Sequence, residues 1–401
     1  MKLRSKETYW LLKNGIIRSY PSLHNDISCD VLVIGGGITG SLMAYQFAQE
    51  GYKTVLTDKR DISLGSTSAT TALLQYELDE PLHLLIEKVG LAAAIDTYRE
   101  GVNAISKLGK LVKTLGLETE FEKKQSLYIA RTIRQRKQLE KEFEVRSSAG
   151  LEVTWLSEQE LMKGFDVKGK GGILSKDAAS VDGYKLAHGL LDYAVRQHKL
   201  EVYDHTEVTK VEYDQVKSLA RTEYGDVISS KYVIYATGYE TQSMLKDKIV
   251  DLHSTYACIS EPLKDVPGHI KNTLFWDMDD PYLYVRCTPD NRLLIGGEDE
   301  NFKDAERRDR KIDKKELALI KKFGKLIPEL EVIPDFSWAG TFGVTKDALP
   351  YIGAHPDYPD SFFVLGFGGN GITFSIMGME IISDAIAGRE NKFLNYFRFN
   401  R

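Results

Sequence analysis

The feature that most constrains this chain is the stretch CDVLVIGGGITGSLMAYQFAQEGYKTVLTDK, residues 29–59. Residues 31–34 form an unbroken apolar run, which suits a parallel strand buried on both faces. Gly35, Gly37 and Gly40 follow with G-x-G-x-x-G spacing. Leu42, Met43, Ala44, Phe47 and Ala48 then recur at near-helical spacing, and Gly51 stops the pattern. A second short strand, KTVLTD, ends in Asp58. In this setting the first glycine permits a tight turn, the second lets a pyrophosphate approach, and the third lets the helix pack on the strand. The free N–H groups and positive dipole end of the helix then face phosphate. Asp58 stands where a carboxylate binds a ribose hydroxyl pair, and Asp rather than Arg there disfavours a 2′-phosphate. The pattern predicts a dinucleotide site. NAD and FAD satisfy it equally, and a ligand-free strand–helix turn is the plainer alternative.

With 401 residues the chain has room for roughly two domains of about 100–200 residues. A net charge of −5 argues against a nucleic-acid partner. No window approaches the roughly 20 apolar residues of a membrane span. The N-terminal apolar stretch is broken by Lys13, Asn14 and Arg18, so it lacks a signal-peptide core. Cys29, Cys258 and Cys287 are odd in number and widely spaced. They read as small buried hydrophobes and fit a reducing cytoplasm. None of the eight histidines pairs at metal-ligand spacing, so no metal is expected; His83, His188 and His355 read as packing or surface residues. An oligomeric state is not legible.

Residues 83–150 read as mostly helical. A helix over 182–198 and strands at LEVY, VTKVEY and YVIYATG suggest a second βαβ-like region. Strand-like runs fill 252–300, including YLYVRC and RLLIGG. The charged stretches at 131–146 and 303–325 read as the wet faces of helices. Near the end, GFGGNGITFS (366–375) places four glycines in six positions, so another body must approach that backbone closely. The run 372–388 after it reads as a helix ending at Gly388.

Taken in order, YVIYATG (232–238), RLLIGGED (292–299), WAGTFGVTKDALPYIG (338–353) and the second glycine loop resemble the D-amino-acid oxidase-like family of FAD-dependent amine oxidoreductases. That family includes glycine oxidase and monomeric sarcosine oxidase. The likeness runs from about residue 28 to 390, and SYPSLHNDISCDVLVIGGGITG looks like the gamma-glutamylputrescine oxidase branch. The resemblance implies an α/β fold. A Rossmann-like FAD-binding domain (1–80, 156–245 and 340–401) would be interleaved with a smaller α+β substrate domain with a mixed sheet (81–155 and 246–339). It implies that FAD is held at the first glycine motif, including Ile38 and Thr39, and at Asp58 and Lys59. Ser66, Thr67, Ser68, Thr70, Thr71 and Ala72 would run beneath the flavin. Val208, Ala236, Thr237, Gly238 and Gly343 would crowd the same cofactor. Gly368, Gly369, Asn370, Gly371, Ile372 and Thr373 would pass the flavin ring, with side chains kept away because they would strike it. The helix from about Ile372 would point its N-terminus at the negative charge of the reduced ring.

The implied reaction takes a hydride from the α-carbon of a neutral primary or secondary amine to flavin N5. The imine then hydrolyses, and O2, a quinone or a carrier protein takes the electrons. An aromatic pocket suits this step because it excludes water. Tyr282, Tyr284 and Arg286 alternate along one strand face, and Tyr256 and Trp276 lie in neighbouring runs. For each, core packing is the competing reading. Two departures limit the likeness. Phe342 stands where glycine oxidase-like members carry a carboxylate-binding Arg, and Thr373 where sarcosine oxidase-like members carry a Lys. Gly340 stands where the latter attach flavin to Cys, so FAD is expected to be non-covalent. Arg286 would serve a carboxylate from another direction, or else form a structural ion pair. Asp347 and Pro350 read as turn-shaping. Oxidation of a C–OH bond, or flavin binding without turnover, are the other readings.

Overall fold

The computed structural model describes residues 1–214 and 216–401. Its frame is two sheets. In the first, Glu201–Tyr203, Thr54–Thr57, Ile27–Ile34, Val227–Tyr235 and Tyr358–Leu365 lie side by side and parallel. Tyr351–His355 closes one edge antiparallel, and the hairpin Val208–Tyr213/Ser218–Thr222 extends Val227–Tyr235. Side chains of a strand alternate between faces. Val31 and Val33 join the core beneath the helices Ile38–Gln49, Gly183–His198 and Gly371–Ile386. Leu32 and Ile34 join a separate core with Val233, Tyr235 and Phe363 on the other face. Burial on both sides is why the run 31–34 is apolar without a break.

The second sheet runs Pro334–Val344, Asp251–Ser260, Leu293–Glu300, Leu283–Cys287, Thr273–Asp277, Glu122–Ala130, Gly171–Ser180 and Leu73–Leu74, with Val153–Ser157 also on Gly171–Ser180. It is mixed, as expected: Thr273–Asp277 pairs parallel with Glu122–Ala130, and the other pairings are antiparallel. The helix Ile312–Leu326 buries Leu319, Phe323 and Leu326 against it.

Several placements differ from the sequence reading. The mostly helical stretch 83–150 also contains the strand Glu122–Ala130. Its first half, EKKQ, is charged, and only its last five residues are uniformly buried, so the apolar signal is short. The strand Gly171–Ser180, expected in the cofactor domain, pairs in the second sheet, as does Leu73–Leu74. The strand Pro334–Val344 runs through the boundary expected at residue 340. An unexpected helix, Tyr9–Asn14, packs Tyr9 and Trp10 against Tyr184 of the first layer and Trp338 of the second sheet. None of the described helices is long and apolar enough to cross a membrane.

Candidate cofactor and substrate cleft

A cleft of about 550 Å³ opens between the two sheets, at the C-terminal ends of Ile27–Ile34 and Val227–Tyr235. Ligands of open α/β sheets favour that position. Gly35 begins the turn with φ +107°, and a Cβ there would lie 2.5 Å from the Ala236 carbonyl oxygen. The helix Ile38–Gln49 starts at Gly37, and the Ile38 N–H donates to Thr67 Oγ1 at 3.0 Å. Gly37, Ile38 and Thr39 line the cleft. Gly40 does not; its Cα faces the Gly35 carbonyl, so its part is helix–strand contact.

Asp58 lines the cleft at the end of the second strand. Its Oδ2 accepts from the Gly36 N–H at 2.7 Å and its Oδ1 from the Arg60 N–H at 2.9 Å. Burial raises its carboxyl, and those two N–H groups oppose the rise. Lys59 is held by Glu240 at 3.2 Å and Glu207 at 3.5 Å, and Arg60 by Glu240 at 2.9 Å. Val208, Ala236, Thr237 and Gly238 complete this end.

The second glycine loop forms the opposite lip. Asn370 precedes the helix Gly371–Ile386, whose first turn, including Ile372, opens onto the cleft. Thr39 Oγ1 and Ser375 Oγ are 2.7 Å apart, so the first turns of the two helices touch. The first turns of two helices, with their positive dipole ends, therefore face one space. The glycines have a nearer cause than the one expected. A Cβ on Gly368 or Gly369 would come within 2.8 or 2.7 Å of the Asp79 carboxylate, and one on Gly366 within 2.7 Å of the Gly371 carbonyl. Side chains there would strike the protein itself, whatever lies in the cleft. Asn370 Nδ2 fastens the loop by donating to the carbonyls of Gln75 and Glu77, each at 2.9 Å.

Beneath the cleft runs 65–72. Ser66, Thr67, Thr70, Thr71 and Ala72 line it. Ser68 does not; it is fully buried and donates to the Gly65 carbonyl at 3.1 Å. Thr373 also turns away, donating to the Gln75 carbonyl at 3.2 Å. Gly343 is set back, because Val250 and Tyr239 fill the space beside it, and its carbonyl accepts from the Gly368 N–H at 2.6 Å.

The second sheet supplies an aromatic wall. Tyr256, Tyr282, Tyr284, Trp276 and Phe342 all line the cleft. Tyr282 and Tyr284 lie 5.9 Å apart, centroid to centroid. Trp276 stacks on Tyr128 at 3.6 Å and donates to Ser126 Oγ. Arg286 is the exception. Alternation puts it on the expected face, but it lies one step further along the strand, under the N-terminal helix. Its guanidinium sits 5.2 Å from the Trp10 ring and donates to the Ala72 and Val181 carbonyls at 3.3 Å. Burial lowers its pKa to about 10. Its own side chain does not line the cleft and, among the described residues, pairs with no carboxylate, so the structure places it in neither expected role.

Asp347 keeps its structural reading: it accepts from the Leu349 N–H and pairs with Arg401 at 2.6 Å. His188 is buried, which pushes its pKa down to about 4, and His83 bonds Glu142. Asp79, Gln75 and Trp338 line the cleft without having been expected there. Trp338 opens the quoted WAG motif and donates to the Ala69 carbonyl at 2.9 Å. Asp79 lies in an acidic run, ELDE, that carries no local sign of a site.

Comparison with known proteins identifies the type of fold. The family model described as "FAD dependent oxidoreductase" (DAO) matches residues 30–385. Gamma-glutamylputrescine oxidoreductase of Escherichia coli (strain K12) is 23% identical, over 96% of this chain and 90% of its own. Glycine oxidase of Bacillus subtilis (strain 168) is 26% identical, over 93% of this chain and 97% of its own. The crystal structure of glycine oxidase from Geobacillus kaustophilus superposes with a TM-score of 0.76 at 20% identity, covering 94% of this chain and 99% of its own. That last likeness bears on fold alone.

Proposed function

Because the chain belongs to the DAO family of FAD-dependent oxidoreductases, we propose that it oxidises the C–N bond of a primary or secondary amine within this cleft. The observation that carries the proposal is the meeting, in one space, of two helix N-termini with a wall of aromatic side chains. The residues present fit FAD. Gly37 leaves the first helix end open to a pyrophosphate, and Asp58 stands beside it for the ribose. N–H groups at the start of Gly371–Ile386 would stabilise an anionic ring edge.

FAD, when bound, supplies the acceptor for the hydride that leaves the amine carbon. The chain's own residues supply the surroundings. Tyr282, Tyr284 and Trp276 exclude water and favour the neutral amine over the hydrated ammonium. Phe342 removes the bidentate partner that an α-carboxylate would need. As the hydride leaves, the nitrogen lone pair closes the C=N bond. Water then adds to that bond to release a carbonyl compound and an amine or ammonia.

The purified holoprotein should show flavin absorption bands that an amine bleaches in the absence of oxygen. A broad amine panel that left the bands intact would overturn the proposal. Readmitting air reads the acceptor: rapid return of colour marks an oxidase, and slow return a dehydrogenase using a quinone or carrier protein.

We also take FAD to be non-covalent. Among the described residues no Cys or His lines the cleft. Burial pushes Cys29 and Cys258 up to about 12 and Cys287 up to about 11, so none offers a thiolate. Denaturing the holoprotein should therefore release all its flavin into the supernatant, and colour retained in the pellet would contradict this. Three free, mostly buried thiols also fit a cytoplasmic location.

A further inference from the structure

The substrate end of the cleft carries negative charge that the protein does not neutralise. Asp79 opens onto the cleft, and its Oδ2 takes one backbone bond, from the Gly369 N–H at 2.9 Å. Asp299 stands just behind the wall. Both its carboxylate oxygens are buried and, among the described residues, make no hydrogen bond of good geometry. The groups they face are the hydroxyls of Thr255 and Tyr282 and, beyond them, Asp79, all of which line the cleft. Burial is the main cause that raises its carboxyl, to about 6; the Thr255 and Tyr282 hydroxyls oppose the rise, and Asp79 adds to it.

A buried carboxylate without a cationic partner is costly, so its setting asks for a cation. Among the described residues no Lys, Arg or His pairs with Asp79 or Asp299. Lys315 is the cation facing Asp299, but Glu298 holds it at 3.1 Å and Glu300 lies 3.7 Å away. The cations that line the cleft, Lys59, Arg60 and Lys210, are taken by Glu240, Glu207 and Glu212.

We propose that Asp79 and Asp299 make the substrate end of the cleft a cation-selecting site. The substrate is then an amine that carries a second, protonated nitrogen and no carboxylate. One nitrogen reacts as the neutral amine while Asp79, on the cleft lining, faces the other as ammonium, and Asp299, behind Thr255 and Tyr282, adds its negative charge. This rests on the amine-oxidation reading above and deepens it.

The test is an anaerobic titration of the oxidised holoenzyme with three probes of one chain length: 1,4-diaminobutane, butylamine and 4-aminobutanoate. Perturbation of the flavin bands reads binding, and bleaching reads reaction. The diamine is expected to bind at least tenfold more tightly than butylamine, and 4-aminobutanoate at least tenfold more weakly than butylamine. In Asp299→Asn and Asp79→Asn, each checked for a wild-type flavin spectrum, the diamine-to-butylamine ratio should fall toward one. Equal binding of all three by the wild type, or a ratio unmoved in both variants, would overturn cation selection. Preferred binding of the diamine with no bleaching by any probe would support cation selection and overturn amine oxidation. Bleaching by 4-aminobutanoate as readily as by the diamine would do the reverse.

Discussion

Gly37→Val is expected to purify as a folded protein without flavin, and added FAD is not expected to restore the colour. The backbone at Gly37 is extended, with φ −80° and ψ −170°, which valine adopts without strain. A Cβ there meets only Thr67 Oγ1, at 2.9 Å, a side-chain atom that can shift at the cost of its bond from the Ile38 N–H. The fold should therefore persist. The cost falls on the ligand, because the branched side chain occupies the space between the first helix end and the cleft. A loss of at least about 100-fold in FAD affinity, about 2.7 kcal/mol, is the expected scale. Visible absorbance and circular dichroism on the same sample decide it. Stoichiometric FAD in a well-folded variant would remove the first glycine motif from the cofactor site.

Gly40→Val should fail in the opposite way, with little folded protein recovered and flavin loss only as a consequence. A Cβ at residue 40 would lie 1.7 Å from the Gly35 carbonyl oxygen and 2.9 Å from its carbon. That obstacle is backbone and cannot rotate away. Overpacking usually costs about 1–3 kcal/mol when side chains are able to yield. Here the helix must leave the strand, in a core where Leu42, Met43 and Phe47 are fully buried. A loss approaching the whole stability of an ordinary domain, about 5–15 kcal/mol, is expected. Soluble yield and thermal denaturation of the apoprotein give the readout. A Gly40→Val protein as stable as the parent would mean that the two elements do not pack this closely.

Both expectations rest on a part of the fold that is legible in the sequence. The strand, turn and helix around Gly35, Gly37 and Gly40 involve neighbours in the chain, so spacing alone located them. The aromatic wall is also readable, because alternation along YLYVRC fixes a face; the mixed character of the second sheet is what the family resemblance implies. Alternation does not say where along the strand a cleft ends. Arg286 was misplaced because Trp10, hundreds of positions away in the chain, covers it. Asp79 and Asp299 were missed for a related reason. A carboxylate's meaning depends on which cations come near it, and those are set by folding. The second glycine loop was rightly read as a place of close approach, but its immediate neighbours, Asp79 and the backbone of Gly366 and Gly371, come from within the protein.

The contact between Thr39 and Ser375 has a consequence for how the molecule is made. Those hydroxyls touch across 336 positions of chain. A ribosome adds about 5–20 residues per second, so the first helix end waits roughly 20–70 s for the second. Until then the nascent first glycine motif has strand and helix but only half a binding cleft. Cofactor capture is thus a late event in biosynthesis, and a message cut short before codon 371 would yield a chain that never colours.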